Sequence, residues 1–86
     1  MDIKKDDPRV YLNRAQVNLK LNKYYNAYND AEKSIQFSTR NKDKAYFRMG
    51  KAAYSMRQFE KSFENFKKCL EILNNDINKV NHFIIL

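Results

Sequence analysis

Apolar residues recur every three or four positions through most of the chain, in blocks separated by short polar stretches. That spacing is the mark of amphipathic helices, because residues three and four apart share one helix face. It predicts a first helix from about Pro8 to Leu21, a break near Asn22-Lys23, and a second helix from Tyr24 to Phe37. A third helix is expected from near Asn41 to Met56 and a fourth from Phe59 to Leu73. A fifth should start near Asn75-Asp76, with Ile77, Val80, Phe83 and Ile84 along one side. Asp7-Pro8 marks the first start, since Asp caps helices and Pro suits the first helical position.

The pattern repeats. Sliding the chain by 35 residues pairs Tyr11 with Tyr46, Ala15 with Gly50, Tyr24 with Phe59 and Ala27 with Ser62. The same shift pairs Ser34 with Cys69, Ile35 with Leu70 and Phe37 with Ile72. Matches of size and polarity at one fixed offset point to two copies of a helix pair. The small members (Ala15, Ala27, Ser34, Gly50, Ser62, Cys69) belong where helices cross closely. The aromatics Tyr11, Tyr24, Tyr46, Phe59 and Phe66 are expected to fill the space left. The domain layout is an extension at 1–7, repeats at 8–41 and 42–75, and a capping helix at 76–86. The fold class is an all-α solenoid.

Composition supports this and removes several functions. Among 86 residues there is one Gly and one Pro, too few for strands joined by turns. One cysteine, Cys69, forbids an internal disulfide and a cysteine-based zinc site, and favours a reduced, cytoplasmic setting. One histidine, His82, excludes a site built on two imidazoles. There is no Ser/His/Asp set and no Gly-rich phosphate loop, so no enzyme, cofactor or metal is expected. Asp30 and Glu32 read as exposed helix charges. The longest apolar run, FIIL at 83–86, is too short to cross a bilayer, and no signal peptide is read at the start. The net charge of +7 invites acidic partners. Nucleic acid ranks last among them, because the basic residues are spread over several helices without a stacking platform. Neither nucleic acid nor membrane is expected as a partner. The apolar ending HFIIL suits a packed cap or self-association through the C-terminal helix.

The second unit contains Tyr46-x2-Met49-Gly50-x2-Ala53 and then Ser62-x3-Phe66. The first contains Tyr11-x2-Arg14-Ala15-x2-Asn18 and then Ala27-x3-Ala31. These resemble the tetratricopeptide repeat, whose pattern is W-x2-L-G-x2-Y…A-x3-F…P with a period near 34. The closing proline is missing: Thr39 and Asn74 stand in its place. The resemblance implies helix pairs stacked into a superhelix, with the first helix of each pair lining the concave side.

On those first helices, the face left over from packing carries Arg9, Asn13, Gln16 and Lys20, then Lys44, Arg48 and Lys51, with no acidic residue. Two segments there, Tyr11-Leu12-Asn13-Arg14-Ala15 and Lys44-Ala45-Tyr46-Phe47-Arg48-Met49-Gly50, resemble the carboxylate-clamp co-chaperone subset of the family, which has Y-x-N-R-A and K-A-Y-x-R-x-G. That resemblance implies a protein–protein adaptor for the acidic C-terminal tails of heat-shock chaperones. It assigns Asn13 as an amide donor, and Lys44 and Arg48 as cationic partners of the last residue's carboxylates. The family's clamp takes a further Lys and Asn from a preceding repeat, which this sequence begins too late to include. Lys4 and Lys5 are the nearest substitutes, so a partial clamp is the expectation. The competing expectation is a scaffold that holds another segment through Leu12, Phe47 and Tyr54, without free-carboxylate recognition.

Overall fold

The computed structural model describes the backbone of residues 7–85 and the side chains of residues 7–75. It contains α1 (Pro8–Lys20), α2 (Tyr24–Phe37), α3 (Lys42–Ser55) and α4 (Phe59–Ile85), with no strand among the described residues. Asp7 caps α1: its carboxylate accepts from the Arg9 amide at 2.9 Å, and Pro8 occupies the first helical position. This satisfies one of the amides that every helix start leaves orphaned.

The two helix pairs turn identically. After α1, the Lys23 amide donates to the Asn18 carbonyl at 2.8 Å and the Asn22 amide to Leu19 at 3.1 Å. After α3, the Gln58 amide donates to Ala53 at 2.8 Å and the Arg57 amide to Tyr54 at 2.9 Å. Each turn is a Schellman motif, which needs one residue in the left-handed region. Asn22 supplies it at φ 60° and Arg57 at φ 63°. Asn tolerates that region because its short side chain bonds locally, whereas Arg has no such compensation. A third left-handed residue, Asn41 at φ 60°, stands before α3 and makes no side-chain capping bond.

The first three of the five expected helices end within a residue of their sequence-based bounds. The fourth differs. No break occurs near Asn75-Asp76; α4 runs unbroken from Phe59 to Ile85, so the expected separate capping helix is its continuation. Asn and Asp are poor helix formers at roughly 0.7 kcal/mol each, but without Gly or Pro they do not end a helix. The expectations placed on Lys4, Lys5 and the side chains of HFIIL lie outside the described residues.

The core is made of small residues. Ala15, Ala27, Ala31, Ala52 and Ala53 are fully buried, and among the described residues no large side chain is. Ser34, Gly50, Ser62 and Cys69 are buried as well, so each small residue singled out by the repeat lies at a helix crossing. Small side chains let helix axes approach to the short end of the usual range, about 8 Å. The 19 Å minimum dimension of the molecule fits two such layers. Tyr11, Tyr24, Tyr46 and Phe66 are half-buried as fillers, but Phe59 is 58% exposed, contrary to expectation. Helix α3 touches α1, α2 and α4, and ties the two pairs together.

Candidate functional site: the polar face of α1 and α3

Helices α1 and α3 are adjacent, and their outward face carries all seven residues nominated from the sequence. Arg9, Asn13, Gln16, Lys20, Lys44 and Lys51 are exposed, and Arg48 is half-buried. Their chemical states differ.

Arg48 bridges the two helices. Its Nη1 donates to the Leu12 carbonyl at 2.9 Å and its Nη2 to Gln16 Oε1 at 2.9 Å. Burial lowers its pKa from the ordinary value, yet it remains a cation because no protein environment deprotonates arginine. A guanidinium has five N–H donors, and these two bonds leave the other three. Lys44 lies one turn before Arg48 on α3. Asn13 follows Leu12 on α1 and lies one turn before Gln16. The side chains of Asn13 and Lys44 make no hydrogen bond among the described residues, so an amide and an ammonium group share the exposed face with the bridging guanidinium and keep their donors free.

The other nominated residues are more committed. Arg9 is paired with its own helix cap, Nη2 to Asp7 Oδ2 at 3.1 Å and Nε to Oδ1 at 3.2 Å. The hydrogen bond to Asp7, and then its charge, raise the Arg9 pKa. Lys51 places its ammonium 5.6 Å from the Phe47 ring centroid, a cation–π distance. Lys20 stands in the last turn of α1, where a cation complements the helix dipole. The working donors of this face are therefore Asn13, Lys44 and Arg48.

Two expectations fail for reasons of packing. Leu12, offered as a groove contact, is buried in the core with Ala15, Ala31, Ala45 and Met49. Phe47 and Tyr54 do remain exposed, at 49% and 62%. Asp30 is buried at 5% rather than solvated. Arg14 grips it with both arms, Nη2 to Oδ1 at 2.7 Å and Nε to Oδ2 at 2.9 Å, and Asn18 adds a third bond at 2.9 Å. The bond to Asp30 raises the Arg14 pKa against a smaller desolvation loss. Arg14 thus fastens α1 to α2 and does not serve the polar face. The sequence held the signal: on helices expected to lie antiparallel, the only carboxylate opposite Arg14 and Asn18 is this one.

Two helix pairs in one 35-residue register, with a donor-rich layer on one side, define a helix-turn-helix repeat protein built to hold protein segments. The chain belongs to the tetratricopeptide repeat family, which matches it at residues 8–41 and again at 43–76. Over 68 residues, 79% of the chain, it is 41% identical to human "Tetratricopeptide repeat protein 12" and 38% identical to the mouse protein of that name. It spans a tenth of the length of these relatives. No solved structure matches it. Repeats of this family act as protein–protein interaction modules. Among the described residues no group of three or more metal-ligating side chains occurs, and none of their helices is long and apolar enough to cross a membrane.

Proposed function

We propose that this chain is a co-chaperone-type adaptor, whose α1–α3 face holds an acidic peptide by its free C-terminus, as the tails of heat-shock chaperones would present it. The observation that carries the reading is the set of open donors on one surface: the Asn13 amide, the Lys44 ammonium and the unused guanidinium N–H groups of Arg48. Neither α1 nor the polar face of α3 sets a carboxylate beside them. A C-terminal Asp carries two carboxylates on one residue, and two cations and an amide on one surface can satisfy both. Each charge-assisted bond contributes roughly 1.5–3 kcal/mol net, about ten- to a hundredfold in affinity.

Fluorescence titration with a peptide ending in Glu-Val-Asp checks this. Lys44→Ala and Asn13→Ala should each weaken binding about tenfold or more, and amidating the peptide's C-terminus should do the same. Arg48→Ala should weaken it further, although that change also removes the bridge to α1. Unchanged affinity for the amidated peptide together with Lys44→Ala would exclude carboxylate recognition.

One observation favours a second reading. Phe47 and Tyr54 are exposed on α3, and Arg48 is already spent in part on α1. A scaffold holding an internal segment of another protein would use those rings. Its affinity would fall with Tyr54→Ala and ignore the state of the peptide's terminus.

A further inference from the structure

Helices α1 and α3 carry three arginines, Arg9, Arg14 and Arg48, and each is held through two of its nitrogens. Carboxylates hold the first two. Arg9 gives Nε and Nη2 to Asp7, and Arg14 gives Nε and Nη2 to Asp30. In both, the guanidinium charge meets an opposite charge at contact distance. Arg48 is held differently. Its acceptors are the Leu12 carbonyl and the Gln16 side-chain amide oxygen, both at 2.9 Å and both uncharged. Among the described residues Arg48 forms no ion pair.

The difference matters for recognition. A carboxylate orients an arginine well, but it also cancels the charge. An amide oxygen fixes the guanidinium plane and leaves the charge whole. Half-burial then strips water from a cation with no counter-charge, and the Arg48 pKa falls, whereas the bonds to Asp7 and Asp30 raise those of Arg9 and Arg14. A carboxylate arriving at Arg48 meets no internal competitor. Less side-chain freedom is lost on binding, because the long side chain is already held. The repeat does not call for an amide here: 35 residues on, the counterpart of Gln16 is Lys51. Gln16 is exposed, so burial does not call for it either.

We propose that Gln16 is a positioning residue for the carboxylate site: its neutral oxygen orients the Arg48 guanidinium and leaves the full charge to the ligand. The inference rests on the carboxylate reading given under the proposed function, and it names what keeps that site switched on. A glutamate has the same shape as glutamine. At position 16 it would hold Arg48 at least as firmly, as Asp30 holds Arg14, and would cancel the charge the ligand needs. Stability and recognition would then part company at a single atom, the Oε1 or amide nitrogen end of one side chain.

Titration of the full chain with the peptide ending in Glu-Val-Asp, beside thermal unfolding of each variant, tests this. Gln16→Glu should weaken binding about tenfold or more while its unfolding midpoint holds or rises. Gln16→Met keeps the length and adds no charge, but has no oxygen to offer. It should weaken binding about two- to tenfold by loosening Arg48. In an Arg48→Ala background both changes at position 16 should cost far less, a coupling that the double-mutant cycle reads. Wild-type affinity in Gln16→Glu would overturn the proposal. So would the same loss with and without Arg48, which would mean that the new carboxylate merely repels the peptide. A midpoint that falls along with affinity in Gln16→Glu would overturn it too, as plain structural damage. The broader reading fails separately: a wild-type chain that binds free and amidated peptide equally removes carboxylate recognition, and this inference with it, before any variant is compared.

Discussion

Gly50 and Phe66 occupy the positions that Ala15 and Ala31 hold in the first repeat. A Cβ on Gly50 would lie 2.6 Å from the Phe66 ring, well inside contact distance. The pair therefore trades volume: the ring takes the space the glycine leaves. Gly50→Ala should lower the urea midpoint, since overpacking costs about 1–3 kcal/mol and improved helix propensity returns only about 1. Adding Phe66→Ala should cost less in that background than in the wild type, a coupling that a double-mutant cycle measures. Asp30→Ala should destabilise by about 1–3 kcal/mol, towards the lower figure because Arg14 faces solvent and regains water. At Cys69, burial first and the charge of Asp43 second push the thiol pKa up. The folded state thus favours the protonated thiol, and this contribution to stability is present at neutral pH and lost as pH rises past the ordinary thiol range. Alkylation of Cys69 at neutral pH should be much slower in the folded chain than in urea. The small residues of this core were legible in the sequence because the 35-residue offset made each one predict another. The burial of Asp30 was missed, because its partners Arg14 and Asn18 sit on another helix, and the signal shows only once α1 and α2 are laid against each other.

The helices themselves follow from the apolar period and from their ends. Their turns are set by hydrogen bonds that recur one repeat apart, from Lys23 to Asn18 and from Gln58 to Ala53. The left-handed residue in the second turn is Arg57, where an L side chain with no local bond costs roughly 1–2 kcal/mol. Arg57→Gly should raise the unfolding midpoint by an amount equivalent to about 1 kcal/mol. The same change at Asn22 should do less, because Asn already accepts that backbone. The long α4 escaped the sequence reading for a related reason. Asn74-Asn75-Asp76 resembles a stop, but stopping a helix requires a partner for its last carbonyls, and the residues that follow continue the helix instead. Local composition signals where a chain could turn; the turn forms only where its hydrogen bonds can be completed.

At the scale of the whole molecule, each pair shelters the next, and α3 packs against all three other helices. Stability in such a stack is close to a sum of units and nearest-neighbour contacts. Amide hydrogen exchange should accordingly be slowest in α3 and faster in α1, which has fewer neighbours. The layout of two repeats was readable from periodicity alone. The inequality of the two ends was not, since it arises from which equivalent positions are covered once the helices stack: Tyr28 and Ile35 inside, Phe63 and Leu70 outside. The Arg48 bridge brings these scales together. One side chain spans the gap between consecutive repeats and fixes the α1 carbonyl of Leu12 against α3. It works as a latch in a spring: each Nη group keeps one N–H beyond the bridge, so a ligand can take those donors while α1 stays fastened to α3. The face that binds is then also the part of the stack whose pitch is held, and a carboxylate seated there meets a rigid surface.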